Sequence, residues 1–107
     1  MNIGEETLAA QLAQAGIAFE RQYAYAPPPR KLRADFALPA FRLLVEVNGG
    51  IFNQKAHGSV TGVLKDMDRG NEAAIAGFFM LRVTPDEVAD GDALALVRRF
   101  LAAHNPL

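Results

Sequence analysis

Residues 33–50 read RADFALPAFRLLVEVNGG. Runs 32–38 and 42–48 alternate in polarity on either side of Pro39-Ala40 and read as two β-strands joined by a turn. Sorting by the two-residue period puts Ala34, Phe36, Leu38, Leu43, Val45 and Val47 on one apolar face. Asp35 and Glu46 fall on the other, with Arg33, Arg42 and Asn48. Carboxylates are poor residues for a pleated, half-buried surface, so two on one face need a reason. If the hairpin turns at Pro39-Ala40, Leu38 pairs with Phe41 and Asp35 with Leu44. Glu46 is then a diagonal neighbour of Asp35, roughly 5–8 Å away. Two carboxylates about 5 Å apart at an effective dielectric near 20 repel by roughly 3 kcal/mol. Such a pair spreads apart, shares a proton or holds a cation; the plain alternative is a polar face meeting water. Magnesium takes one or two carboxylates together with water and phosphate oxygens, and a bound metal can generate hydroxide from water.

The flanking segments supply a small mixed domain. Residues 5–15 predict a helix, with Leu8 and Leu12 on one face, an acidic pair at its start and Gly16 as its stop. IAFERQYAYA, residues 17–26, reads as a strand, and PPPRK (27–31) as a stiff basic connection. NGGIFNQKAHGSVTG lacks a period and reads as a loop. A helix over 61–77 is expected to turn Val63, Leu64, Met67, Ala74 and Ile75 inward, with Lys65, Asp68 and Glu72 outward. FFMLRV is a strand, and Thr84-Pro85-x-Glu87 forms a capping box opening a helical turn. Residues 92–104 close the chain as an amphipathic helix. The order α-β-β-β-α-β-α predicts one α/β (mixed α+β) domain spanning residues 1–107, its central sheet flanked by helices.

Composition removes several chemistries. The 107 residues contain no cysteine, so disulfides, thiolate catalysis and sulfur-ligated zinc are excluded. Ser59 has His57 two residues away but lacks the strand-to-helix elbow of a serine nucleophile. Glycine-rich phosphate cradles are missing. No apolar run is long enough to span a membrane, and the acidic N-terminus is unlike a secretory signal, so a cytoplasmic setting is expected. A net charge of −1 gives no global attraction to nucleic acid, leaving that task to local basic patches.

An Asp on one strand and Glu-x-(Lys or polar) on the next, here Asp35 and Glu46-Val47-Asn48, resembles the PD-(D/E)XK nuclease superfamily. The wider order resembles a small bacterial and phage endonuclease group related to the very short patch repair endonucleases. It includes His57 in the loop, then Asp66, Arg69 and Asn71, then Leu81, Arg82, Thr84 and Pro85. That resemblance implies a restriction-endonuclease-like fold and Mg2+-dependent hydrolysis of DNA phosphodiester bonds, with Mn2+ as a substitute. It implies Asp35, Glu46 and the Val47 backbone carbonyl as metal ligands, and Glu5 (Glu6 as alternative) as a supporting acid of the first helix. Glu5 and Glu6 also suit a helix start without any site.

Asn48 stands where the superfamily has lysine, so the usual positive group beside the attacking water is absent from the motif. Its work can pass to His57 as general base, or to Lys65 or Arg69 on the following helix. An exposed loop and a solvated helix face are the bland readings of these residues. Arg30, Lys31 and Arg33 can neutralise DNA phosphates or simply keep a proline-rich loop soluble. Gln54 and Lys55 are further loop candidates for DNA contact, and His104 reads as incidental. The sequence expectation is therefore a metal-dependent endonuclease. Its rivals are a catalytically silent DNA-binding or assembly module and an interaction protein whose acidic face is plain surface. A homodimer or partner protein would extend the small DNA-contacting surface.

Overall fold

A computed structural model of the chain describes residues 2–48 and 60–106. Strands β1 (Glu20–Ala24), β2 (Arg33–Leu38) and β3 (Leu43–Val47) follow helix α1 (Ile3–Gln14). After β3 come α2 (Val60–Ile75), β4 (Phe79–Val83), α3 (Pro85–Asp90) and α4 (Asp92–Ala103). The helical turn and the closing helix of the sequence reading are α3 and α4, divided at Gly91, whose φ of 89° is left-handed. The described residues form a four-stranded sheet ordered β1-β2-β3-β4. β1–β2 and β2–β3 run antiparallel, and β3–β4 parallel.

The hairpin differs from its sequence reading by two residues. Leu38 pairs with Leu43, Ala37 with Leu44 and Phe36 with Val45. A two-residue hairpin turn needs left-handed backbone, which Pro39 cannot adopt and Ala40 resists. Pro39–Phe41 instead forms one 3-10 turn, closed by Arg42 in the left-handed region at φ 51°, ψ 43°. Arg42 is kept there by its side chain, which donates to the carbonyls of Gly77 (2.8 Å) and Ala76 (2.5 Å) and stacks over Phe78. A guanidinium at these carbonyls also complements the negative end of α2. Because the shift is an even number, both strand faces survive unchanged.

Each face is covered. Leu8 and Leu12 of α1, Val88 of α3, and Ala93 and Val97 of α4 pack on Phe36, Leu38, Leu43, Val45, Val47 and Val83. The carboxylate-bearing face carries a smaller apolar cluster in which Ala37 and Leu44 meet Ala73 of α2, with Tyr25 and Ala26. It is therefore not a sheet face left to water.

The orientation expected for α2 is corrected. Val63, Leu64, Met67 and Ile75 are exposed, at 53–78% of their surfaces, and Ala74 is exposed too. Ala73 is the buried residue of this helix, with Arg69, Gly70 and Glu72 half-buried around it. At 3.6 residues per turn Leu64 lies about half a turn from Ala73. A helical period says which residues share a face, not which face meets the sheet. Here the sheet presents two acids, and α2 answers with Arg69 and small residues rather than its apolar stripe.

The α3 start is as expected. Thr84 Oγ1 accepts the Glu87 N–H (3.1 Å), and the Thr84 N–H donates to Glu87 Oε1 (2.8 Å). Thr84→Ala should cost about 1 kcal/mol of stability, read as a lower urea midpoint at unchanged slope; an unchanged midpoint would mean that the cap contributes nothing.

Candidate active site

The β2–β3 ladder stops one residue short of the two acids. Continuing its register by one step places Asp35 directly opposite Glu46, closer than the diagonal expected from sequence. The Asn48 N–H donates to the Val83 carbonyl at 2.7 Å, toward β4. By strand alternation, the N–H and carbonyl of Val47 point the other way, toward β2. The Val47 N–H finds no backbone partner there and donates to Asp35 Oδ2 at 2.8 Å. A carboxylate has thus replaced a carbonyl in the ladder. By the same alternation the Val47 carbonyl is turned to that side of the strand.

Glu46 is 13% exposed and sits between two guanidinium groups. Arg69 of α2 pairs closely with Oε2. Arg82 approaches Oε1 at 3.6 Å. Arg82 reaches Glu46 because parallel pairing sets the two residues side by side on β3 and β4. The Arg69 Nη2 also donates to the Arg33 carbonyl at 2.7 Å, and its guanidinium lies 5.9 Å from the centroid of the buried Tyr25 ring. Burial works against the charged form of Arg69, but the Glu46 hydrogen bond and carboxylate field, Tyr25 and Asp35 outweigh it and leave its pKa raised. The Tyr25 pKa is raised as well, chiefly by burial.

Of the two α1 acids, Glu5 turns inward. Its side chain is 14% exposed, whereas Glu6 is half exposed and pairs with Arg21 at 2.6 Å. Gly4 explains the approach, since a Cβ there would stand 3.0 Å from Val47 Cγ1. Gln22 donates to Glu5 Oε1 at 3.1 Å from a backbone held at φ 50°, a sparsely populated conformation for a residue with a Cβ. Burial raises the Glu5 pKa, and the charge of nearby Asp35 raises it further.

These donors suit a hard divalent cation in chemistry: carboxylate oxygens and a peptide carbonyl, with no sulfur or imidazole among the described residues of the cluster. Among the described residues no group of three or more His, Cys, Asp or Glu is arranged to hold a metal. Two carboxylates and a carbonyl are donors of the kind magnesium takes, since it keeps most of its waters.

The remaining sequence candidates divide by position. Asn48 adjoins the site, half-buried. Lys65, Asp66 and Asn71 lie exposed on α2. The Asp66 carbonyl accepts from Arg82 at 3.1 Å, which ties that end of α2 to β4. Arg30 pairs with Asp68 and, at 3.6 Å, with Glu72, so its charge fastens the β1–β2 connection to α2. Lys31 and Arg33 are exposed, Arg33 reaching the Gln22 carbonyl at 3.4 Å. His57, Gln54, Lys55 and Ser59 lie outside the described residues. His104 stacks on Phe100, with ring centroids 3.9 Å apart, away from the acids. Gly4 and Gln22 are residues beside the candidate site that sequence reasoning missed, and Arg82 entered it only as part of the resemblance, without a role. Arg82 carried one signal, a cation inside an otherwise apolar strand.

No family model and no curated protein matches the chain. Among solved structures it is similar to the catalytic domain of the homing endonuclease I-Bth0305I, with a TM-score of 0.70 and 20% sequence identity. The alignment covers 96% of this chain and 97% of that one. The fold described above, a mixed α+β domain with a four-stranded sheet between helices, is thus one that a solved nuclease domain also adopts.

Proposed function

We propose that the chain is a divalent-metal-dependent endonuclease that hydrolyses DNA phosphodiester bonds. The observation that carries the reading is the end of the β2–β3 ladder one step before Asp35 and Glu46, where the Val47 N–H donates to Asp35 Oδ2 instead of to a backbone carbonyl. The likeness of the whole fold to a homing endonuclease catalytic domain supports it. Asp35, Glu46 and the Val47 carbonyl would hold Mg2+ or Mn2+. The bound ion would lower the pKa of a water and neutralise charge developing on the phosphate. Arg69 and Arg82 supply the positive charge that Asn48 does not, and a guanidinium fork matches phosphate oxygens. His57 is the residue with an ordinary pKa suited to accepting a proton from water; its assignment rests on sequence order. Arg33 and Lys31 lie on the approach to β2, where exposed cations add sequence-independent affinity. A second copy or a partner would supply the surface needed for sequence readout.

A second reading has its own observation. With both Glu46 oxygens facing arginines, the site is already neutralised, as in a DNA-binding module without catalysis.

Nicking of supercoiled plasmid separates the two readings. The wild type should nick in Mg2+, and Asp35→Asn and Glu46→Gln should each lose about a thousandfold in rate, the equivalent of roughly 4 kcal/mol, while still binding duplex DNA. Binding without nicking in Mg2+ or Mn2+ would establish the silent module instead.

Glu5 offers a test with a pH signature. Its folded pKa lies above the unfolded one, so the ionised group costs stability above the folded pKa. That cost disappears as pH falls below the unfolded pKa, about 4. Glu5→Gln should therefore melt higher than the wild type at pH 7.5, with the gap closing by about pH 4, and should nick more slowly. A lower melting point at pH 7.5 would assign Glu5 a structural role.

A further inference from the structure

Glu46 Oε2 is held by a cation that belongs to the chain itself. Arg69 reaches it from α2 while donating to the Arg33 carbonyl and lying against the Tyr25 ring. Two features make this arrangement more than a fixed brace. The Arg69 side chain is 26% exposed, so the guanidinium stands at the boundary with solvent rather than sealed beneath the helix. A groove of about 330 Å³, lined by Gly70, Ala73, Met80 and Arg82, lies between α2 and β4 on the same face of the sheet. The backbone, by contrast, is tied down. The Tyr25 hydroxyl donates to the Arg69 carbonyl at 3.5 Å, and Arg30 holds Asp68 and Glu72 on either side of it. The guanidinium can therefore change partner while α2 stays in place.

A guanidinium held against Glu46 Oε2 competes with a divalent ion for the same carboxylate, because like charges at contact distance repel and one of the oxygen's lone pairs is already taken. Arg82 on Oε1 adds to that repulsion. A DNA phosphate offers Arg69 an exchange partner of the same geometry: a planar fork meets two anionic oxygens, as it does on a carboxylate. We propose that Arg69 is an exchangeable counter-cation, which holds Glu46 in the free protein and moves to a backbone phosphate when DNA binds, so that the divalent ion is loaded with the substrate. The inference rests on the endonuclease reading and adds an order of events to it. The two acids are protected from stray cations in the free state, and the repulsion between them is relieved without a metal.

Calorimetry with Mn2+ alone, without DNA, tests the exchange. Arg69→Gln should bind Mn2+ at least about tenfold more tightly than the wild type, the effect of removing one charge-assisted hydrogen bond that competes for the ligand. Adding Asp35→Asn to Arg69→Gln should abolish the gain, placing it at this site. Arg69→Lys keeps the charge without the fork and should fall between, which retains a readout if the glutamine variant does not fold. Equal or weaker Mn2+ binding by Arg69→Gln, or by Arg69→Lys where only that variant folds, would overturn the exchange and make Arg69 a residue that orients Glu46. If plasmid nicking nevertheless requires Glu46, the endonuclease reading survives that result. Absence of Mn2+ binding in every variant, together with absence of nicking, would overturn both.

Discussion

One hydrogen bond organises this molecule: the Val47 N–H given to the Asp35 carboxylate instead of to a backbone carbonyl. An antiparallel pair continues until something takes its donors, and a side chain that does so ends the ladder without leaving an amide unsatisfied. The two strands can then part around Asp35 and Glu46 while Phe36–Val45 and Leu38–Leu43 remain paired behind them. The carboxylates are accordingly held on rigid strand ends, which gives a site more precise than a loop provides. Close to them α1 passes Val47 through Gly4, and Arg69 reaches down from α2 to the Arg33 carbonyl.

The two faces of the sheet are built by different physics. Beneath lies an apolar core supplied by three helices, dense with leucine, valine and phenylalanine. Above, α2 rests on a small patch of alanine, leucine and tyrosine and then on charge. A helix seated this way cannot also bury its apolar stripe, so Val63, Leu64 and Met67 face outward. Arg30 and Arg42 compensate for the thin contact by fastening α2 at its flank and at its C-terminal end. Exposed ion pairs contribute little each; Arg42, spread over two carbonyls and an aromatic ring, is the stronger tie.

How far the sequence could be read follows from which contacts are local. Strand periodicity assigned both faces of the hairpin, because a two-residue period survives an error of two in the register. The Thr84 cap was legible because all its parts lie within four residues. The loop geometry was not, since Pro39 and Ala40 punctuate a turn without specifying that Arg42 would be drawn into left-handed backbone by carbonyls at Ala76 and Gly77. The phase of α2 failed for a related reason: the most apolar stripe is the natural choice for the inward face unless the sheet beneath is known to be charged. Glu5 was preferred to Glu6 because it shares the helix face of Leu8 and Leu12, and it is Glu5 that meets Gln22 near the close passage at Gly4.

Asn48, read as an isolated departure from a motif, leaves out the charge that other elements bring to Glu46. A motif records residues that reach a site from one strand, whereas charge at a site is a sum over everything near it. At Glu46 that sum includes Arg82, delivered by the parallel register, and Arg69, delivered by the phase of a helix more than twenty residues downstream. The positive charge absent from β3 is therefore present twice over in space. Those arginines differ from a lysine in one respect that matters for chemistry. Each carries a planar guanidinium, whose geometry matches carboxylate and phosphate oxygens alike. Under the proposed function, two guanidinium groups beside Glu46 balance its charge in the free chain and are at hand for an anionic substrate, a combination that a single lysine after Glu46 would not provide.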